Sequence, residues 1–154
     1  MNSHARLWGE FVTLLRGMKD LSATAIAGSG VRIELAGAHL LHRITELGPV
    51  RLTELAAGMG LDPSSVSRQV TALERSGWVA REEDPTDRRA SRLTATPAGR
   101  DVVVALTVAR TEALARLTPA WSDTDLDALA ASLARLNHDL ATHRDQLDVA
   151  LENA

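Results

Sequence analysis

Apolar residues recur at Leu7, Phe11, Leu14, Met18 and Leu21, in steps of 4, 3, 4 and 3. That spacing is the seam of an amphipathic helix. It predicts a helix from about Ser3 to Ala27, stopped by "AGSG" at 27–30. A second helix is predicted from about Val31 to Glu46, through Leu35, Ala38, Leu41 and Ile44, and ended by "LGPV" at 47–50. The pattern then shortens. "VRL" at 50–52 reads as a brief strand, and Thr53 as the cap of a short helix, Glu54 to Met59, that Gly60 closes. Asp62 and Pro63 are an N-cap and a first-turn proline. The helix they open has a buried stripe of Val66, Val70 and Leu73 and stops at Gly77. "WVAREE" (78–83) and "ASRLTA" (90–95) alternate as strands do, which makes residues 84–89 the expected hairpin tip.

Thr96-Pro97 opens a further helix that runs to about Leu117 and is broken by Pro119. "SDTD" at 122–125 resembles a capping box. From there Leu126, Leu129, Leu133, Leu136 and Leu140 step by 3, 4, 3 and 4, and His143 and Leu147 continue the register, close to three heptads. A helix packed on its own domain would also show this pattern. At ~40 Å, however, the helix outreaches the core that a chain of this size can offer, by the rise per residue of a helix. The first helix has the same problem, so the two termini are expected to pair across a dimer. The expected fold is mainly α with a small β-hairpin wing. A winged helix-turn-helix occupies 48–96, and 1–47 with 97–154 form a helical dimerisation region, all one continuous domain.

Composition narrows the function. The chain has 154 residues, enough for one domain. At 45% hydrophobic and 24% charged it falls among globular proteins rather than disordered or membrane ones. A net charge of −3 gives no global basicity, so any nucleic-acid contact must come from a few placed charges. There is no cysteine, which excludes disulfides, thiolate metal sites and thiol redox sensing. No apolar run approaches the ~20 residues of a bilayer span. "MNSHARLWGEF" lacks the cationic start and apolar core of a signal peptide. A cytoplasmic location and no membrane partner are therefore expected. Sixteen arginines stand beside the single Lys19 in an alanine-rich chain, so the arginine count reflects coding bias and carries no function by itself.

The candidate chemistry lies in the helix after Asp62. With about 100° per residue, Val70 and Leu73 fall within roughly 40° of Val66, and Ser64, Arg68, Thr71 and Arg75 cluster opposite. Ser65 and Ser67 sit at the two flanks, while Gln69 leans back toward the core. In a helix-turn-helix this second helix enters the major groove. Small hydroxyls allow close approach, and Arg68 has the fork to take a guanine bidentately. Arg75, at the far end, suits a phosphate. An ordinary solvated face would also carry Ser, Thr and Arg. The hairpin weighs against that reading, because its tip places Arg88 and Arg89 where a wing can put one arginine into the minor groove. Asp84 and Asp87 are assigned to stiffening the turn by bonding loop amides or a neighbouring arginine. Residues 63–92 hold six Arg against five acids (Glu74, Glu82, Glu83, Asp84, Asp87), so affinity there depends on geometry.

The run "LTELAAGMGLDPSSVSRQVTALERSGWVAREEDPTDRRASRLTATPAGR", residues 52–100, resembles the DNA-binding core of the MarR family of bacterial transcription regulators. "DPTDRRA…LT…G" matches the family's wing and "SSVSRQVTALERSGWV" its recognition helix. The flanking helices match in number and order, so the resemblance spans nearly the whole chain. It implies a homodimer with interlocked terminal helices that binds double-stranded, pseudo-palindromic DNA, as a repressor released by a small aromatic or anionic effector. It also implies that Ser64, Ser67, Arg68 and Thr71 face the groove, with Arg88 or Arg89 as the wing arginine. The implied effector pocket draws on Trp8, Phe11, Met18, His39, His42 and Arg43, where an arginine or histidine beside aromatics suits an aromatic carboxylate. Trp8 and Phe11 equally fit a dimer core. The chain lacks the cysteine of the peroxide-sensing branch. His39 and His42, at i and i+3, could share a metal but have no third ligand in view, so no metal and no cofactor are expected. His143 is the one titratable residue on the heptad seam. A winged-helix module for protein contacts, without sequence-specific DNA binding, is the alternative. No phosphate loop or nucleophile motif supports an enzyme.

Overall fold

The structure is a computed structural model that describes residues 2–143, the side chain of Arg88 excepted. Its elements, in chain order, are α1 (Ser3–Gly28), α2 (Leu35–Leu47), β1 (Val50–Arg51), α3 (Leu52–Met59), α4 (Pro63–Arg75), β2 (Val79–Asp84), β3 (Asp87–Ala95), α5 (Pro97–Leu117) and α6 (Asp123–Thr142). The three strands form one antiparallel sheet in the order β1-β3-β2. Helices thus dominate, with a small sheet built around a hairpin, as the apolar pattern predicts.

The chain divides into two compact units, Met1–Arg116 and Leu117–Ala154. The first holds the core. Leu40, Leu41 and Ile44 of α2 meet Leu55 and Ala56 of α3, Val66, Val70 and Leu73 of α4, and Val50, Val79 and Leu93 of the sheet. The 3-4 spacing of α4 and the alternation of β3 therefore supply opposite walls of one cluster. A smaller cluster, Ile26, Ala38 and Leu106, joins the end of α1 to α2 and α5. In the second unit, Ser122 and Asp125 form a reciprocal cap on α6: each side chain accepts from the other's backbone N–H, at 3.2 and 3.0 Å. Leu126, Leu133 and Leu136 of α6 are half-buried, and His143 stands at its C-cap. Leu147 lies outside the described residues.

Three local expectations are corrected. Helix α2 begins at Leu35, not near Val31. Residues 31–34 are non-helical instead: the Ile33 N–H bonds the Val31 carbonyl at 3.2 Å and Glu34 is extended. Val31, Ile33 and Leu35 pack on the smaller cluster while Arg32 and Glu34 are exposed. Thr53 does not cap α3. Arg51 is the N-cap residue, and the Glu54 carboxylate accepts the Arg51 N–H at 3.2 Å. The helix starts two residues early because β1 runs straight into it. The hairpin turn is only Pro85-Thr86, so β3 begins at Asp87 and includes Arg88 and Arg89.

The joint between hairpin and α5 is tight. Thr96 donates its hydroxyl to the Gly77 carbonyl at 2.7 Å, and the same oxygen accepts the Gly99 N–H at 3.0 Å. The Thr96 N–H in turn bonds the Trp78 carbonyl at 3.0 Å. A Cβ on Gly99 would stand 2.1 Å from that carbonyl oxygen, so only glycine lets α5 begin here. Gly99→Ala should therefore destabilise the fold by about 1–3 kcal/mol, as overpacking against backbone does. Gly58→Ala, on an open face of α3 with nothing within 4 Å, should be neutral or stabilise by up to about 1 kcal/mol. Denaturant melts of the two variants check the contrast; equal effects would refute the close packing at Gly99.

Candidate nucleic-acid interface

Gly60 adopts the left-handed conformation, φ 62°, and ends α3. The chain then turns through Leu61 into α4. Asp62 caps α4 by accepting the Ser65 N–H at 3.0 Å, and it also takes the Ser64 hydroxyl. These bonds, Ser64 first, hold the Asp62 carboxyl below its ordinary pKa. With Val66, Val70 and Leu73 buried, the opposite face of α4 is fixed. Ser64, Arg68 and Arg75 are exposed, and Ser65, Ser67 and Thr71 are half-buried. Arg68 Nη2 donates to Ser65 Oγ at 3.3 Å, and the Thr71 hydroxyl donates to the Ser67 carbonyl at 2.9 Å. Gln69 donates to the Glu34 carboxylate at 3.3 Å, consistent with its position on the side of the helix that faces α2.

The hairpin lies beside α4 and is tied to it by an ion pair between Arg81 Nε and Glu74 Oε1 at 2.7 Å. Its strands pair in regular register from Val79↔Ala95 to Glu83↔Ser91, and then the register jumps to Asp84↔Asp87. Arg88, Arg89 and Ala90 therefore bulge from β3 with no partner on β2. A bulge of this kind twists a strand and re-aims its side chains. Arg89 is exposed on it, and the Arg89 N–H is bonded by Asp87 Oδ1 at 3.0 Å.

Asp84 holds the hairpin. It is 1% exposed and is the buried charged residue among those described. Its Oδ2 accepts from Arg51 Nε at 2.7 Å and from Arg92 Nε at 2.9 Å. Its Oδ1 accepts the Thr86 N–H at 2.8 Å and the Thr86 hydroxyl at 2.6 Å. The Arg51 guanidinium first, then Thr86 and Arg92, hold the Asp84 carboxyl far below the usual carboxylate range. The acceptor is therefore ionised and shared by β1, the turn and β3. Neither Arg51 nor Arg92 was picked out by the sequence pattern; the available signal was Asp84 beside a proline turn, assigned there to bonding loop amides or a neighbouring arginine. Of the five acids counted in this region, Glu74, Asp84 and Asp87 are engaged within the fold, while Glu82 and Glu83 are exposed.

The six residues considered for an effector stand on α1 and α2, and Met18 is exposed on α1. A pocket of about 600 Å³ lies between α2, α3 and α4, walled by Leu40, Met59, Leu61 and Val66, with His39, Arg68 and Gln69 among its polar residues. His39 lines it, whereas Trp8 is 72% exposed on α1 and Phe11 half-buried there. His42 and Arg43 both turn to Glu46, at 3.2 and 2.7 Å. Among the described residues no group of three His, Cys, Asp or Glu is placed to hold a metal, and no helix is long and apolar enough to cross a membrane.

This helix-turn-helix with its bulged hairpin has relatives. The family model of the MarR family matches residues 33–91. Over 98 residues the chain is 36% identical to the uncharacterized HTH-type transcriptional regulator YxaD of Bacillus subtilis (strain 168), covering 64% of this chain and 68% of that protein. The chain belongs to the MarR family. Among solved structures, a MarR family protein from Bacillus stearothermophilus superposes with a TM-score of 0.80 at 22% identity, over 92% of this chain and 99% of that one. RV1404 from Mycobacterium tuberculosis gives 0.76 at 27% identity, over 90% and 95%. This MarR-family protein is thus a transcriptional regulator with a winged-helix fold.

The pKa of Asp84 has a checkable sign. Its folded value lies below the ordinary value of about 3.9 that it regains on unfolding. Its contribution to stability is therefore complete above pH ~4 and is lost as pH falls through and below that point. Asp84→Asn should flatten the acid limb of the stability–pH curve and release the hairpin's amide protons to faster exchange. An acid limb as steep as in the parent protein would show that Asp84 does not anchor the hairpin.

Proposed function

We propose that this MarR-family regulator is a homodimeric repressor that reads a pseudo-palindromic operator and responds to a small anionic effector. The observation that carries the DNA reading is the pairing of two features. The face of α4 opposite the core offers hydroxyls and arginines, and a hairpin pinned by a buried carboxylate carries a two-arginine bulge beside it. In this reading α4 enters the major groove, Arg68 takes a base edge, and Ser64, Ser65, Ser67 and Thr71 line the close approach. Arg75 meets a phosphate. Arg88 or Arg89 enters the minor groove, where the potential is most negative.

Exposed apolar surface supports the dimer. Trp8 and Leu15 on α1 are 72% and 68% exposed, and Val104 on α5 is 62% exposed. Such concentration on terminal helices marks a surface that another chain covers. The dimerisation region is accordingly assigned to 1–47 and 97–154, with 48–96 as the DNA-reading part. Support for an anionic effector comes from Arg110 on α5. Its Nε and Nη2, together with His42 Nδ1, are buried without a hydrogen-bond partner. Burial first, then the charges of Arg110 and His42, push the His39 pKa down. Unpaired buried cations are costly, and an anion removes that cost.

Operator selection from random duplexes, followed by binding assays, tests the reading. Arg88→Ala with Arg89→Ala should weaken operator binding while the melting temperature stays nearly unchanged; undiminished affinity would reject the wing role. Arg68→Ala should flatten the preference at one symmetric pair of operator positions by about 1–3 kcal/mol. A uniform loss over all sequences would make Arg68 a phosphate contact. Leu15→Glu should shift the sedimenting species from dimer to monomer.

A further inference from the structure

On α4 the two flanks of the exposed face have different neighbours. At about 100° per residue, Ser67, Thr71 and Glu74 lie on one flank, and Glu74 is the residue that pairs with Arg81 of the hairpin at 2.7 Å. Ser65, Gln69, Ala72 and Ser76 lie on the other. That second flank faces the segment before α2. A concavity of about 300 Å³ is lined there by Arg32, Glu34, Arg68, Gln69, Ser76 and Trp78. Val31 and Ile33 of that segment pack inward, and Arg32 between them is exposed and lines this concavity. Glu34, the nearest acid along the chain, is bonded to Gln69 Nε2 at 3.3 Å. Arg32 itself has no ion pair or side-chain hydrogen bond among the described residues. It is an exposed, uncommitted cation on the side of α4 away from the wing.

A helix lying in the major groove has a phosphate backbone along each edge. The wing attends to one edge. We infer that Arg32 contacts the phosphates of the other edge, so that α4 is held in register from both sides. This inference rests on the DNA reading above. A single guanidinium on the short segment before α2, off the helix that reads base edges, fits a charge contact rather than base readout.

The test uses the full chain and its selected operator, with affinity measured from low to moderate salt. Arg32→Ala should reduce binding to all sequences alike, leave the base preference intact, and lower the slope of log K against log salt by about 0.9 for each Arg32 engaged. Arg32→Lys, which keeps the point charge, should restore most of the slope. Arg32→Glu should weaken binding further than Ala. An unchanged slope in Arg32→Ala, or a changed preference at one base position, overturns the phosphate assignment while leaving the operator reading standing. If the parent protein selects no operator at all, the reading of α4 and the wing fails, and this inference fails with it.

Discussion

One carboxylate determines where the hairpin stands. Asp84 is removed from water, and a buried charge is tolerated only when its lone pairs are taken up. Its four donors come from three places: the strand that enters α3, the turn, and the far strand of the hairpin. The turn is thereby held without any residue in the left-handed region; among the described residues positive φ occurs only at glycines. The mirror-image turns that suit a two-residue hairpin need positive φ. Pro85-Thr86 closes the hairpin otherwise, and the three-residue bulge after Asp87 takes up the mismatch in register.

The helix that reads DNA in the proposed function is defined by what it cannot expose. Val66, Val70 and Leu73 are buried almost completely, so rotation of α4 about its axis would bring apolar surface into water at about 25 cal/mol per Å². The outward face is thus set by the inward one. The Asp62 cap fixes where the helix begins, and with it the height of Ser64 and Arg68 above the core.

Much of this was legible in the sequence because it is local. The Asp62-Pro63 start, the stripe on α4, the Ser122–Asp125 box and the Thr96-Pro97 start each depend on residues within one turn of each other. The parts that were not legible depend on distance or on competition. Arg51 and Arg92 reach Asp84 from 33 and 8 residues away, and sixteen arginines give no sequence signal to single them out. Val31 and Leu35 fit a helical seam by spacing, but Ile33 packs on both core clusters, and the chain before Leu35 is non-helical. Thr53 is a better cap by residue type than Arg51, but strand pairing of β1 with β3 fixes Arg51 first. The residues considered for an effector were the least legible: His42 and Arg43 turn to Glu46 while His39 lines the pocket beside α4, and Arg110, whose Nε and Nη2 lack a partner, comes from a helix whose pattern pointed only to packing.

The contact between Gly99 and the Trp78 carbonyl makes the start of α5 and the base of the hairpin one solid piece. Thr96 bonds both ends of that piece, leaving no pliable residue between the last strand and the helix. A joint without slack behaves as a lever. A tilt imposed on α5 is therefore passed to the base of the hairpin, which the Glu74–Arg81 and Asp84–Arg51 pairs in turn tie to α4 and to the strand before α3.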